Sequence, residues 1–166
     1  LVEEEIASNE ILKVLFEDFD AILAGGTAYS LSRGWTINKH LEKNPTADID
    51  LYFRTYKDYE SAFRYIKNLS YGNKSIYIEK SITGLCYNVH QELSNYNLSK
   101  LDSCKIQLVG CIFGSPEEIY KSFDFRNLEV CFYYGKDGYV SSYTDNVRKY
   151  KNKLDIRHTR SPFLMH

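Results

Sequence analysis

The spacing of apolar positions changes repeatedly along this chain, and each change marks an element boundary. Over residues 2–18, Ile6, Ile11, Leu12, Leu15 and Phe16 fall on one helical stripe among acidic positions, which predicts a helix ending near Phe19. Ala21 to Ala24 is a short apolar run of strand type. Gly25-Gly26 turns the chain there, and Thr27 to Arg33 reads as a helix leaving the turn. Residues 34–46 are polar, contain Pro45 and show no period, so they read as a loop. Asp48 to Phe53 reads as a strand, with Leu51-Tyr52-Phe53 apolar enough to be buried on both faces.

The second half continues in the same manner. Tyr59, Phe63 and Ile66 at helical spacing predict a helix from Tyr56 to Leu69. Ser75 to Glu79 and Gly84 to Tyr87 read as strands, residues 88–102 as a polar irregular stretch, and Lys105 to Phe113 as a strong strand. Ser115-Pro116-Glu117-Glu118 carries a start signal for a helix running to about Phe123: a capping hydroxyl, a proline at the first helical position and two acids in the first turn. Leu128 to Tyr134 and Tyr139 to Tyr143 read as a hairpin closed by Gly135-Lys136-Asp137-Gly138, and Thr144-Asp145 caps a basic helix to about Lys153. The fold class expected is α/β (α+β), a mixed central sheet with flanking helices.

At 166 residues, 43% hydrophobic and 26% charged, the chain reads as one soluble domain over 1–166 with a core at about 20–153. A formal charge of −1 excludes a global basic field for nucleic acid, although acids crowd the first twenty residues and a basic segment occupies 147–166. No apolar run reaches the length of a membrane span, and the first residues are acidic where a signal peptide is basic, so no membrane association and a cytoplasmic setting are expected. The four cysteines form no Cys-x-x-Cys pair, which argues against a zinc ribbon, and Cys111 and Cys131 sit in apolar runs as reduced core residues. His40, His90, His158 and His166 are scattered without metal-ligand spacing and read as surface or loop positions. The abundance of Tyr, Lys and Asn fits an AT-rich genome.

Two features carry candidate chemistry. Asp48 and Asp50 alternate along a strand and so project to one face, where two adjacent carboxylates repel unless a cation lies between them. Gly25-Gly26 joins a strand to a helix and can admit a phosphate to backbone N–H groups, with Thr27 and Ser30 as hydroxyl donors and Arg33 two turns on. A third carboxylate is harder to place, because the centre of the 105–113 strand offers Gln107. Asp102 precedes that strand, and Asp124, between Phe123 and Phe125, is the leading candidate.

The order strand, Gly-Gly-Thr, helix, then Asp-Ile-Asp-Leu resembles the nucleotidyltransferase superfamily that includes DNA polymerase β and the CCA-adding enzymes. With Phe123-Asp124 and Arg148-Lys149-Tyr150 it looks most like the nucleotidyltransferase-like proteins of phages and large viruses. The Gly26-to-Asp48 stretch is longer than usual there, and 34–46 supplies the insertion. The resemblance implies a minimal nucleotidyltransferase fold and transfer of a nucleoside monophosphate from an NTP to an acceptor hydroxyl of RNA, protein or a small molecule. Gly25, Gly26, Thr27, Ser30 and Arg33 are then expected on the triphosphate, and Asp48, Asp50 and Asp124 on Mg²⁺ or Mn²⁺. Three further readings stand beside this one: an inactive structural or interaction module, favoured by Gln107; a toxin-like enzyme; and a simple divalent-cation site.

Overall fold

Asn9 decides where the N-terminal helical stripe breaks. In the computed structural model, which describes residues 2–91 and 105–149, the stripe forms two helices, α1 (Val2–Ala7) and α2 (Glu10–Phe19). The Asn9 side chain accepts the Leu12 N–H, a capping bond that a continuous helix cannot make. Asp20, left-handed at φ 54°, ends α2.

The chain continues through β1 (Ile22–Ala24), α3 (Gly26–Ser32), α4 (Ile37–Lys43), β2 (Ile49–Phe53), α5 (Tyr56–Gly72), β3 (Ile76–Lys80), β4 (Cys86–Gln91) and β5 (Lys105–Phe113). Then come α6 (Pro116–Lys121), a 3₁₀ turn (Arg126–Leu128), β6 (Val130–Gly135), β7 (Gly138–Tyr143) and α7 (Asn146–Lys149). The stretch expected as a loop over 34–46 thus contains a helix. Thr36 caps it by accepting the Lys39 N–H, and Ile37 and Leu41, one turn apart, bury its inner side. The capping box at Ser115 and Glu118 forms as the sequence indicates. The β6–β7 hairpin closes on Gly135 and Gly138, with Gly138 at φ 115°.

The strands make one sheet in the order β3-β4-β5-β2-β1-β6-β7, antiparallel at every junction except β5–β2, which is parallel. Helices α1 to α5 cover one face. There Leu15, Phe16, Leu23, Leu51, Phe53 and Leu108 share the main core. Helix α6 covers part of the other face, packing Ile119 and Tyr120 against Ile22, Ala24 and Cys131. Strand β2 alternates instead of being buried on both faces: Ile49, Leu51 and Phe53 are fully buried in the main core, while Asp50 and Tyr52, on the α6 side, are half-buried.

Cys131 is buried, but Cys111 is exposed; it lies in the irregular stretch of β5 between Leu108 and Phe113, the partners of Leu51 and Phe53 on β2. His40 is buried under α3 and is no surface residue. Asp102, His158 and the basic stretch beyond 149 lie outside the described residues. No helix among those described is long and apolar enough to cross a membrane.

Candidate functional site

Pairing fixes the relation between the glycine turn and the carboxylate strand. β1 lies antiparallel to β2 with Ile22 opposite Tyr52 and Leu23 opposite Leu51, so the exit of β1 arrives beside Asp50. Gly25 follows at φ 85° and ψ −153°, a conformation open in practice only to glycine. A Cβ at Gly25 would stand 3.6 Å from Asp50 Oδ2, so backbone and carboxylate meet there with no side chain between them.

The hydroxyls of Thr27 and Ser30 are committed to the scaffold. Thr27 Oγ1 donates to the Asp48 carbonyl at 3.3 Å, tying α3 to the entrance of β2. Ser30 Oγ lies 2.6 Å from Nδ1 of His40, both groups buried, and this bond binds α3 to α4. His40 also reaches the turn: its Cε1 is the atom nearest to where a Gly26 Cβ would lie, at 3.7 Å. Sequence reading missed His40 because residues 34–46 show no clear period. The Thr36 cap followed by Ile37 and Leu41 was the usable signal.

Around Asp50 the sheet face is polar. Its parallel neighbour on β5 is Gln107, whose Nε2 donates to Asn88 Oδ1 on β4 at 2.9 Å. Tyr52, two residues on, has its hydroxyl pKa raised by burial and then by the Asp50 charge. The Cys86 thiol on β4 is also raised, first by burial, with Cys111 and Asp50 contributing. The Asp50 charge thus adds to the effect of burial on groups of its own strand and of β4.

The other expected site residues are distributed unevenly. Asp48 precedes β2, two residues from Asp50. Asp124 follows Phe123, whose ring packs on Tyr52 at a centroid distance of 5.5 Å, so it belongs to the α6 side of the sheet. Among the described residues, however, no three His, Cys, Asp or Glu side chains are gathered to hold a metal ion, and Asp48, Asp50 and Asp124 form no such triad. A pair of carboxylates still suits Mg²⁺ or Mn²⁺ when phosphate oxygens complete the shell, because Mg²⁺ is commonly held by one or two carboxylates together with substrate phosphates. Arg33 stands apart. Its guanidinium lies over the rings of Tyr29 (5.1 Å) and Trp35 (4.7 Å), and it lines a cleft on the opposite side of the sheet.

The chain matches the Gad2 family, Gabija anti-defense 2, over residues 3–157. This is a phage-related anti-defence family, in keeping with the viral origin expected above. No nucleotidyltransferase family matches, and the resemblance drawn from the Gly-Gly and Asp-x-Asp motifs is corrected accordingly: those motifs are short, whereas the Gad2 match spans nearly the whole chain. No curated protein and no solved structure matches the chain.

Proposed function

Because this chain belongs to the Gad2 family, we propose that it counteracts Gabija defence, and that it does so by metal-assisted nucleotidyl transfer at the Gly25-Gly26 turn and the Asp48/Asp50 strand. The observation that carries this reading is the approach of Gly25 to the Asp50 carboxylate. It leaves room at one point for phosphate oxygens on the turn and for a cation on the carboxylates.

In the proposed reaction an acceptor hydroxyl oxygen bonds to the α-phosphorus of an NTP. The bond from that phosphorus to the bridging oxygen breaks and pyrophosphate leaves. The hydroxyl proton passes to a carboxylate of the pair. Asp48 and Asp50 would hold Mg²⁺ or Mn²⁺, which supplies charge neutralisation on the phosphates. The Gly25-Gly26 backbone positions the phosphates, and Thr27 keeps the turn in register with Asp48 through its bond to the Asp48 carbonyl. The family points to a component of the host defence system as the acceptor or partner.

A second reading is favoured by Gln107. It occupies the position beside Asp50 where a third acid would complete a catalytic set, and its amide is bonded to Asn88. On that reading the chain binds its target without turnover.

The experiment is transfer of α-labelled NTP, with Mg²⁺ and then Mn²⁺, into RNA and protein from Gabija-bearing cells, alongside phage plating on those cells. Wild type should label an acceptor and restore plating. Asp50→Asn should reduce labelling by about 100-fold or more, since bound metal contributes several kcal/mol and each 1.4 kcal/mol is tenfold. Restored plating by Asp50→Asn with no label from either protein would select the non-catalytic reading.

A further inference from the structure

One concavity of the molecule lies away from the carboxylates. A cleft of about 740 Å³ opens on the face covered by α1 to α5, between α3, the β6–β7 hairpin and α7. Its floor belongs to the main core, whereas Asp50 and Tyr52 face the α6 side, so the sheet separates the two places. The volume falls within the range of small-molecule sites.

The polar lining is of one kind. Arg33 and Arg148 contribute two guanidiniums, Tyr29, Ser32, Ser141 and Tyr143 contribute hydroxyls, and no carboxylate lines the cleft among the described residues. Neither arginine is in a salt bridge with a described residue. Each is instead held against an aromatic ring: Arg33 over Tyr29 and Trp35, and Arg148 over Tyr143 at 6.0 Å. Stacking of this kind fixes the guanidinium plane and leaves its edge of N–H donors for an anion, in the forked geometry that suits phosphate. Tyr143 is 54% exposed and offers a flat ring at the edge of the cleft.

We infer that this cleft is a nucleotide site separate from the carboxylate strand. The phosphate lies between Arg33 and Arg148, and the base packs against Tyr143. Permanent positive charge on both arginines, with no acid lining the cleft among the described residues, makes the site selective for anions at any physiological pH. The ring and the volume favour a nucleotide over a bare phosphate.

Trp35, the single tryptophan, lies under the Arg33 guanidinium and reports on it directly. The full chain is titrated with AMP, inorganic phosphate and adenosine in a buffer containing a chelator, by Trp35 emission and by calorimetry. AMP should bind saturably, and phosphate or adenosine alone about tenfold or more weaker. Arg33→Ala and Arg148→Ala should each weaken AMP by about tenfold or more. Arg33→Lys and Arg148→Lys, which keep the charge without the fork, should fall between, and they guard against loss of fold. Asp50→Asn should bind AMP as wild type does, so failure of the proposed transfer reaction leaves this result standing. Absence of saturable AMP binding, binding undiminished in both alanine variants, loss of binding in Asp50→Asn, or phosphate as tight as AMP would each overturn the assignment.

Discussion

At the scale of single residues, Gly25 is constrained by its backbone conformation. Its φ of 85° with ψ −153° strains any L side chain, while the space beside it is ordinary van der Waals distance, 3.6 Å to Asp50 Oδ2. Gly25→Ala should therefore destabilise through the backbone, by about 1–3 kcal/mol, and not through a clash. Urea denaturation measures this, and a neutral result would mean the turn relaxes. Glu118 makes a pH-dependent contribution. Ser115 donates its backbone N–H to the Glu118 carboxylate at 3.0 Å, and this bond, with the Ser115 hydroxyl, holds the carboxyl below its ordinary value of 4.5. A depressed carboxyl stabilises the fold above its unfolded pKa, and that stability is lost as pH falls through the lower folded value. Wild type should thus exceed Glu118→Gln in stability at neutral pH, and the gap should shrink as pH falls below about 4.5. A gap that is constant across the acid limb would assign the effect to shape alone.

At the scale of elements, capping residues explain both what was legible in the sequence and what was not. Ser115-Pro116-Glu117-Glu118 sits between an apolar strand and an apolar helix face, so its signal was readable and the capping box is present. Asn9 sends the same kind of signal inside an unbroken apolar stripe, where periodicity conceals it. The stripe continues through the break because Ile6 and Ile11 still reach one core. Asn9 also donates from Nδ2 to Gln91 Oε1 at 3.0 Å, joining the α2 start to the end of β4. Asn9→Ala should cost about 1–2 kcal/mol. Asn9→Ser should recover the part that comes from the cap but not the link to Gln91. Thermal melts of Asn9→Ser and Gln91→Ala, singly and combined, separate the two, and full additivity would show that the Gln91 contact contributes nothing.

At the scale of the whole molecule, the sheet order decides what meets what, and sequence alone does not carry it. Strand identities and the Gly-Gly to Asp-x-Asp order were readable because each is local. That β2 runs parallel to β5 and sets Asp50 beside Gln107 depends on a crossover through α5, β3 and β4, and no local pattern encodes it. Arg33, near the turn in sequence, lines a cleft with residues of β6, β7 and α7 on the other face, and among the described residues Asp124 completes no triad. The β2–β5 seam also allows a direct test of whether Asp48 and Asp50 are a cation site. Gln107→Asp sets a third carboxylate beside Asp50 and removes the amide that bonds Asn88. In a chelating buffer like charges at this seam should lower the melting temperature. If the pair holds a divalent cation, Mn²⁺ should restore the variant and stabilise it more than wild type, because ligand binding to the folded state adds stability as RT ln(1 + [L]/Kd) and a third carboxylate lowers Kd. If neither protein responds to Mn²⁺ while the variant remains destabilised, the two aspartates serve another purpose and the metal-assisted reading fails with them.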